Sequence, residues 1–386
     1  MKWEKVRLGE LYSVHNGLSK GSKFFGTGYP FLSFSTVFNN FFIPDELTDL
    51  VQSNEKEQDN YSILRGDVFV TRTSETSDEL GMSCVALKDY PNATYNGFTK
   101  RMRPIDNNRV LPEYIGYYMR TPLFRGEFRA FSTMTTRASL KNEDLLGLTV
   151  ALPPVEAQKK IANILRHYDQ LIENNQKQIK LLEESAQRLY KEWFVDLRFP
   201  GYENVDIING VPEGWKKGVL GDIALFKRGK TITKSQVCKG KVPVVAGGLE
   251  PAYYHNKANT VAPVITVSGS GANAGFSRLY NIDVFASDCS FVDSEITPYV
   301  YFVYCFLKDI KEHIQSLQKG AAQPHVYAKD INALKLIIPT ELKLKNYCEL
   351  IKPFFEKIKT LQKQIEISLQ ARERLLPKLM SGELEV

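Results

Sequence analysis

The feature that most restricts how this 386-residue chain can fold is a run of apolar residues at alternating four- and three-residue steps between Pro154 and Trp193. Ile161, Leu165, Tyr168, Ile172, Ile179, Leu182, Ala186, Leu189 and Trp193 keep the pattern, and the polar Asn175 interrupts it once. Apolar residues recurring every 3.5 positions fall on one stripe of an α-helix, and a stripe of this length is covered by another helix. The stretch from Thr340 to Met380 supplies the partner, with Tyr347, Ile351, Phe354, Ile358, Leu361, Ile365, Leu375 and Leu379 on its stripe. Ser368 and Arg372 interrupt it, so that past Ile365 the regularity weakens and Leu369 and Leu376 can take over. Two ordinary helices in separate cores are the plainer alternative, but a stripe of this length found twice favours a coiled coil.

The two stretches are copies at a constant offset of 186 residues. Gln176 Lys177 Gln178 Ile179 returns as Gln362 Lys363 Gln364 Ile365, Arg188 Leu189 as Arg374 Leu375, Tyr168 as Phe354 and Ile172 as Ile358. The flanking segments repeat as well. Trp3, Leu8 Gly9 Glu10 Leu11 and Gly17 match Trp215, Leu220 Gly221 Asp222 Ile223 and Gly229 at an offset of 212, while Asp144 Leu145, Leu148 and Pro153 match Asp330 Ile331, Leu334 and Pro339 at 186. The second copy is therefore 26 residues shorter, all lost from its interior. Ends agree while interiors diverge, as expected of one duplicated scaffold whose middle was free to acquire two surfaces. A pseudo-twofold axis across the helices is the simplest way to join the copies, and it makes the helices antiparallel.

The pattern predicts an α+β fold: two mixed α/β domains separated by an antiparallel coiled coil of two long helices, with a pseudo-twofold internal repeat. The first domain covers residues 1–152. Within it, Pro30 Phe31 Leu32 and Asp67 Val68 Phe69 Val70 read as strands, Pro112 to Arg120 as a helix begun by proline, and the acidic, amide-rich interval Asp45 to Asn60 as an exposed loop. A strand from Leu148 to Leu152 leads to the first long helix at 153–195, with Pro154 as its first residue. A turn-rich linker follows at 196–214, then the second domain at 215–338 and the second long helix at 339–381.

Net charge is a modest +6, but its distribution is uneven. Lys100 to Lys141 holds nine basic and three acidic residues, and Lys216 to Lys241 holds eight basic residues and only Asp222. One basic segment in each half, outside the helix, suits a polyanion held at two places. A helix of about 40 residues is about 60 Å long, the length of roughly 18 base pairs of duplex, so the coil can serve as a ruler. No apolar run reaches the roughly 20 residues that span a bilayer, and Met1 Lys2 Trp3 Glu4 does not open a signal peptide, so no membrane contact and a cytoplasmic location are expected. Cys84, Cys238, Cys289, Cys305 and Cys348 are scattered, without metal-ligand spacing, and read as reduced structural thiols.

Signals for catalysis fail one by one. Ala224 to Thr231 ends in Gly229 Lys230 Thr231 like a relaxed phosphate loop, but Thr231 Ile232 Thr233 is a poor helix start and the matching His15 Asn16 Gly17 Leu18 lacks the lysine. Ser268 to Gly275 follows the apolar Val264 Ile265 Thr266 Val267, yet no acidic residue follows at ribose-binding distance, so it reads as a surface turn able to approach a phosphate. No amino-methyltransferase motif occurs, and Pro44 Asp45 with Glu55 Lys56 Glu57 lacks the lysine of a metal-dependent nuclease. The five histidines form no ligand pair, and no metal site is expected. The chain reads as a binder without chemistry of its own.

Leu152 Pro153 Pro154 Val155 Glu156 Ala157 Gln158 Lys159 Lys160 Ile161 opens the first long helix, and Arg188 Leu189 Tyr190 Lys191 Glu192 Trp193 Phe194 Val195 Asp196 closes it. Arg374 Leu375 Leu376 Pro377 Lys378 Leu379 Met380 Ser381 Gly382 closes the second. In these segments the chain resembles the specificity (S) subunit of type I restriction-modification enzymes, a likeness that covers its whole length as two target-recognition domains alternating with two long helices. Ala157 stands where glutamate is common in that family. The resemblance implies a non-catalytic subunit that binds double-stranded DNA and docks two modification (M) subunits on the coil. Motor-nuclease (R) subunits would join through the complex. S-adenosylmethionine, ATP and Mg are expected on those partners and no cofactor in this chain. Each domain would read one half of a split target, and the diverged interiors imply two different halves. A single-chain methyltransferase-nuclease and a protein-only coiled-coil scaffold are the rival readings.

Base readout needs arginine, lysine or amide side chains at base edges, with other polar groups on phosphates. The polar, turn-like segments nominate Lys20, Lys23, Arg72, Thr99, Lys100, Arg101 and Arg137 in the first domain. In the second they nominate Lys230, Lys234, Ser268, Ser270, Gln323 and His325.

Overall fold

A computed structural model of the protein describes residues 3–74, 79–130, 138–319 and 324–386. The chain forms two compact units, one of Met1–Glu173 with Glu366–Val386 and one of Asn174–Ile365, so that both long helices contribute to both units.

The first unit runs through β1 (Glu4–Arg7), α1 (Leu8–Leu11), β2 (Tyr12–Asn16), β3 (Phe25–Leu32), α2 (Phe34–Asn39), β4 (Leu50–Val51), α3 (Glu55–Asn60) and β5 (Val68–Thr71). It continues through β6 (Thr73–Ser74), β7 (Ser83–Val85), β8 (Thr94–Tyr95), β9 (Thr99–Pro104), α4 (Pro112–Tyr118), α5 (Pro122–Ala130), β10 (Ala138–Ser139), α6 (Asn142–Gly147) and β11 (Thr149–Leu152) to the long helix α7 (Val155–Tyr190). Four strands make an antiparallel sheet in the order β2-β9-β5-β7. In a second sheet β3 lies between an antiparallel β4 and a parallel β8. Both faces of β5 are covered, because Val68 and Val70 join one core and Phe69 another, which is why this strand is apolar without alternation.

The second unit holds β12 (Ile207–Ile208), β13 (Val211–Pro212), β14 (Lys216–Val219), β15 (Lys227–Arg228), β16 (Val242–Val245), β17 (Tyr253–His255), β18 (Val264–Ser268) and β19 (Ser277–Tyr280). Then come β20 (Phe285–Ala286), β21 (Cys289–Asp293), α8 (Val300–Asp309), α9 (Lys311–Ser316), α10 (Ala328–Asn332), β22 (Lys335–Ile338) and the long helix α11 (Glu341–Ser381). Its sheets have the order β15-β21-β18-β19, and β16 between an antiparallel β17 and a parallel β20. Strand for strand this is the order of the first unit. The interiors that diverge in sequence thus keep one topology, and much of the shortening falls between the third and fifth strands. There residues 33–67 carry α2 and α3, whereas residues 246–263 carry no helix.

The frame repeats to the level of single hydrogen bonds. β1 pairs antiparallel with β11, and β14 with β22. Leu8 N donates to Leu148 O at 2.8 Å, and Leu220 N to Leu334 O at 2.8 Å. A Cβ on Gly9 would lie 3.3 Å from Leu146 O, and one on Gly221 3.3 Å from Asn332 O.

In the first unit the early part of α7 packs on the late part of α11. Ile161 and Leu165 share a core with Leu376, Leu379 and Met380, and Arg372 ion-pairs Asp169 at 2.5 Å. In the second unit the late part of α7 packs on the early part of α11, where Tyr347 Oη donates to Ala186 O at 3.1 Å and Asn175 Nδ2 to Gln364 Oε1 at 3.3 Å. Early against late in both units makes the pair antiparallel. Ile161, Leu165, Ile172, Trp193, Ile351, Ile358 and Leu361 are buried, while Tyr168, Ile179, Leu182, Leu189, Phe354, Ile365 and Leu375 are half-buried. Phe355 and Leu376 go deeper than their neighbours Phe354 and Leu375. The stripe is wider than a two-position seam because globular helices cover its edge: Tyr301 of α8 stacks on Phe355 at 4.4 Å, and Tyr117 of α4 donates to Asp169.

Some local expectations need correcting. Asp45 to Asn60 is not a plain loop: it contains β4 and α3, the latter begun by Asn54, whose side chain accepts from Glu57 N at 2.9 Å. Pro154 caps α7 instead of starting it, its carbonyl accepting from Gln158 N at 3.0 Å. The fully buried Gln158 side chain then ties the helix start to Leu111 N, Arg109 O and Pro153 O. After Tyr190 the helix loosens into a π-turn, Lys191–Val195, which buries Trp193 and Phe194. All five cysteines are free thiols, and burial raises Cys84, Cys289 and Cys305 to about 12. Among the described residues no helix is long and apolar enough to cross a membrane.

Candidate nucleic-acid interface

In each unit three backbone segments converge on the corner between the two strands β8 and β9, or β20 and β21. In the first unit the corner is Asn96 Gly97 Phe98. Asn96 Oδ1 accepts from Phe98 N at 2.7 Å, and Phe98 O accepts from Arg72 N at 2.9 Å. Arg72 O in turn accepts from Leu140 N at 2.9 Å, where β6 pairs with β10. Leu18 N donates to Tyr95 O at 2.9 Å from the third segment.

The second unit repeats this with a corner of Ser287 Asp288. Gly269 O accepts from Val326 N at 3.1 Å, Ser270 bridges His325 antiparallel, and Lys230 N donates to Ala286 O at 3.0 Å. The approach requires glycine in both units. A Cβ on Gly17 would fall 2.0 Å from Asn96 O, and one on Gly229 2.3 Å from Ser287 O. These glycines are therefore packing residues, and Gly229 Lys230 Thr231 lies after β15 in chain without helix or strand, with no helix before the short 3₁₀ turn Lys234–Gln236. The phosphate-loop reading is excluded by that geometry.

The nominated residues divide sharply. Lys23, Lys230 and Lys234 are exposed. Lys20 is half-buried, pairing with Glu57 at 2.7 Å, which holds the Glu57 carboxyl below the usual range. Arg72 is half-buried at the corner, with its Nε enclosed and unpartnered. Ser270 and His325 meet at the equivalent corner, where His325 stacks on Tyr327 with ring centroids 5.9 Å apart. Thr99, Lys100, Arg101 and Ser268 are all buried and hydrogen-bonded within the fold. Thr99 Oγ1 donates to Asn96 O at 2.7 Å, Lys100 Nζ to Asn142 Oδ1, Arg101 Nη1 to Ser62 O at 2.7 Å, and Ser268 Oγ to Gly247 O at 2.9 Å. Burial is the main cause that lowers the pKa of both Lys100 and Arg101. Arg137 and Gln323 lie outside the described residues.

The two basic segments differ in exposure: among the described side chains of the first, Arg109 and Lys141 are exposed and the others are buried or half-buried. In the first, Arg103 grips the buried Asp67 through two hydrogen bonds of 2.7 and 2.8 Å. Arg120 spans the carbonyls of Ser83, Val37 and Asn40, and burial pushes its guanidinium down to about 10. Arg125 donates to Leu80 O. In the second segment Lys216, Lys217, Lys227, Arg228, Lys230, Lys234, Lys239 and Lys241 are all exposed.

Sequence reasoning missed two corner residues. Phe98 is 59% exposed at the first corner, and Asp288 stands at the second, its Oδ2 accepting from Ser270 Oγ at 2.7 Å. The Asn-Gly turn before Phe98 was a usable signal, whereas nothing local distinguishes Asp288. Among the described residues no group of histidine, cysteine or carboxylate side chains could hold a metal ion.

Comparisons with known proteins bear on this geometry. Residues 1–184 and 212–371 match the model of the type I restriction modification DNA specificity domain. The type I restriction enzyme MjaIX specificity subunit of Methanocaldococcus jannaschii is 26% identical, the match covering 100% of this chain and 94% of that protein. A putative type I specificity subunit of Mycoplasma genitalium is 24% identical over 83% of this chain and 84% of its own length. Among solved structures, the type I restriction-modification S subunit from M. genitalium superposes with a TM-score of 0.61 at 16% identity, covering 98% of this chain and 96% of that one.

Proposed function

Because the chain belongs to the type I restriction-modification DNA specificity family, we propose that its two corners are the reading heads of a split target, each presenting its own side chains to one half. The protein is a non-catalytic specificity subunit that recognises a DNA sequence for a restriction-modification complex. The observation that carries the two-head reading is the repeated corner. One backbone arrangement holds Arg72 and Phe98 in the first unit and Gly269, Asp288 and His325 in the second. Shared backbone with unlike side chains is what two readers of different sequences require.

Lysines on the segments that meet each corner, Lys20 and Lys23 in one unit and Lys230 and Lys234 in the other, would bind phosphates and set the depth of docking. The antiparallel helices set the spacing between the half-sites, and their outward faces dock two modification subunits. S-adenosylmethionine, and the ATP and Mg of motor-nuclease subunits, are used by those partners. Adenine methylation mapped genome-wide, in cells making this chain with its modification subunit, tests the reading. The expected result is one split, asymmetric motif whose halves change separately when one unit is exchanged. A continuous or palindromic motif, or methyl transfer by the isolated chain, overturns it.

A further inference from the structure

We infer that Asp288 is a specificity-determining residue of the second unit, whose carboxylate accepts a hydrogen bond from an exocyclic base amine, cytosine N4 or adenine N6, in the major groove. The inference rests on the two-head reading and names one base contact within it. Asp288 occupies the corner itself, between β20 and β21. The basic segment runs alongside: Lys230 N donates to Ala286 O at 3.0 Å and Ile232 N to Ser287 Oγ at 3.3 Å. A carboxylate set among exposed cations would ordinarily be ion-paired. Among the described residues Asp288 has no ion pair, and its hydrogen-bond partner is the Ser270 hydroxyl on Oδ2.

That environment narrows what Asp288 can meet. Next to a polyanion a carboxylate repels phosphate, so its presence is favourable only opposite a hydrogen-bond donor. In the major groove cytosine and adenine present amino donors, whereas guanine and thymine present acceptor oxygens that the carboxylate would reject. The side chain is also held in place, because Ser270 fixes one oxygen and is itself tied by its backbone to His325. The counterpart in the first unit is the apolar Phe98, which cannot make this contact. The effect therefore belongs to one half of the target.

The test is methylation mapping with the full chain and its modification subunit, comparing the unaltered protein with Asp288→Ala and Asp288→Asn. Asparagine still accepts from Ser270, so it keeps the loop while changing the reading group. Asp288→Ala is expected to cut discrimination at one position of one half roughly tenfold or more, leaving every other position as it was. Asp288→Asn is expected to move that position toward adenine, which an amide contacts at both N6 and N7. An unchanged motif in both variants overturns the inference. So does loss of methylation at every site in both variants while the complex still assembles, since that marks Asp288 as structural. If the unaltered protein yields no split motif, the failure lies with the two-head reading instead.

Discussion

The two units share a backbone plan, but their basic segments differ in how much of the positive charge is turned inward. In the first, Arg109 and Lys141 are exposed but other cations turn inward: Arg103 neutralises the buried Asp67, while Arg120 satisfies carbonyls that the packing of α2 and β7 would leave bare. In the second, all eight basic residues of 216–241 face solvent. The longer connection in the first unit explains part of the difference. Residues 33–67 bring extra backbone over the sheet, and buried peptide groups without sheet or helix partners need side-chain donors. The lesson is that a local excess of lysine and arginine gives no direction. Inward arginines hold the fold together, and outward lysines stay in solvent.

The largest expected effect follows from the inward set. Arg120→Met leaves three carbonyls unpaired and should destabilise the protein by about 3–5 kcal/mol, read as a fall in the thermal or urea midpoint. A change within error would mean the inward arginines are dispensable and would break the contrast. A smaller, matched effect is expected from the shared frame. Gly9→Ala and Gly221→Ala each press a methyl against a carbonyl and should destabilise by about 1 kcal/mol or less, and by equal amounts. Unequal costs would show that the repeat is less faithful than its hydrogen bonds indicate. The smallest effect on stability, near zero, is expected for Lys230→Ala combined with Lys234→Ala. There the readout is DNA binding by the assembled complex, whose slope of log affinity against log salt should shrink by about two. An unchanged slope would remove these lysines from the interface.

The frame was readable from the chain because it is written in regular steps. A 3.5-residue stripe and paired offsets of 186 and 212 fix two helices and two flanking strand pairs. The identical interior strand order was not readable. Antiparallel sheets are set by which faces are buried, and Val68 Phe69 Val70 and Val264 Ile265 Thr266 satisfy that rule with different residues. The corner was legible in part. Turn-like surroundings nominate Arg72, Ser270 and His325, which the structure places at the corners, but Thr99, Lys100 and Arg101 share the same polarity and lie inside, since β9 is the second strand of the sheet. Asp288 escaped because its partner Ser270 is distant in sequence and is brought to it only by the fold.

The helix pair is pinned at two places by contacts that tolerate no slippage. Asp169 must meet Arg372 in the first unit, and Tyr347 must reach the Ala186 carbonyl in the second. Inserting one turn between these points in a single helix would satisfy one pin and strand the other, leaving Asp169 without its cation or Tyr347 without the Ala186 carbonyl. Equal insertions placed opposite each other would satisfy both. Length changes in the helix pair therefore keep both contacts only as matched insertions.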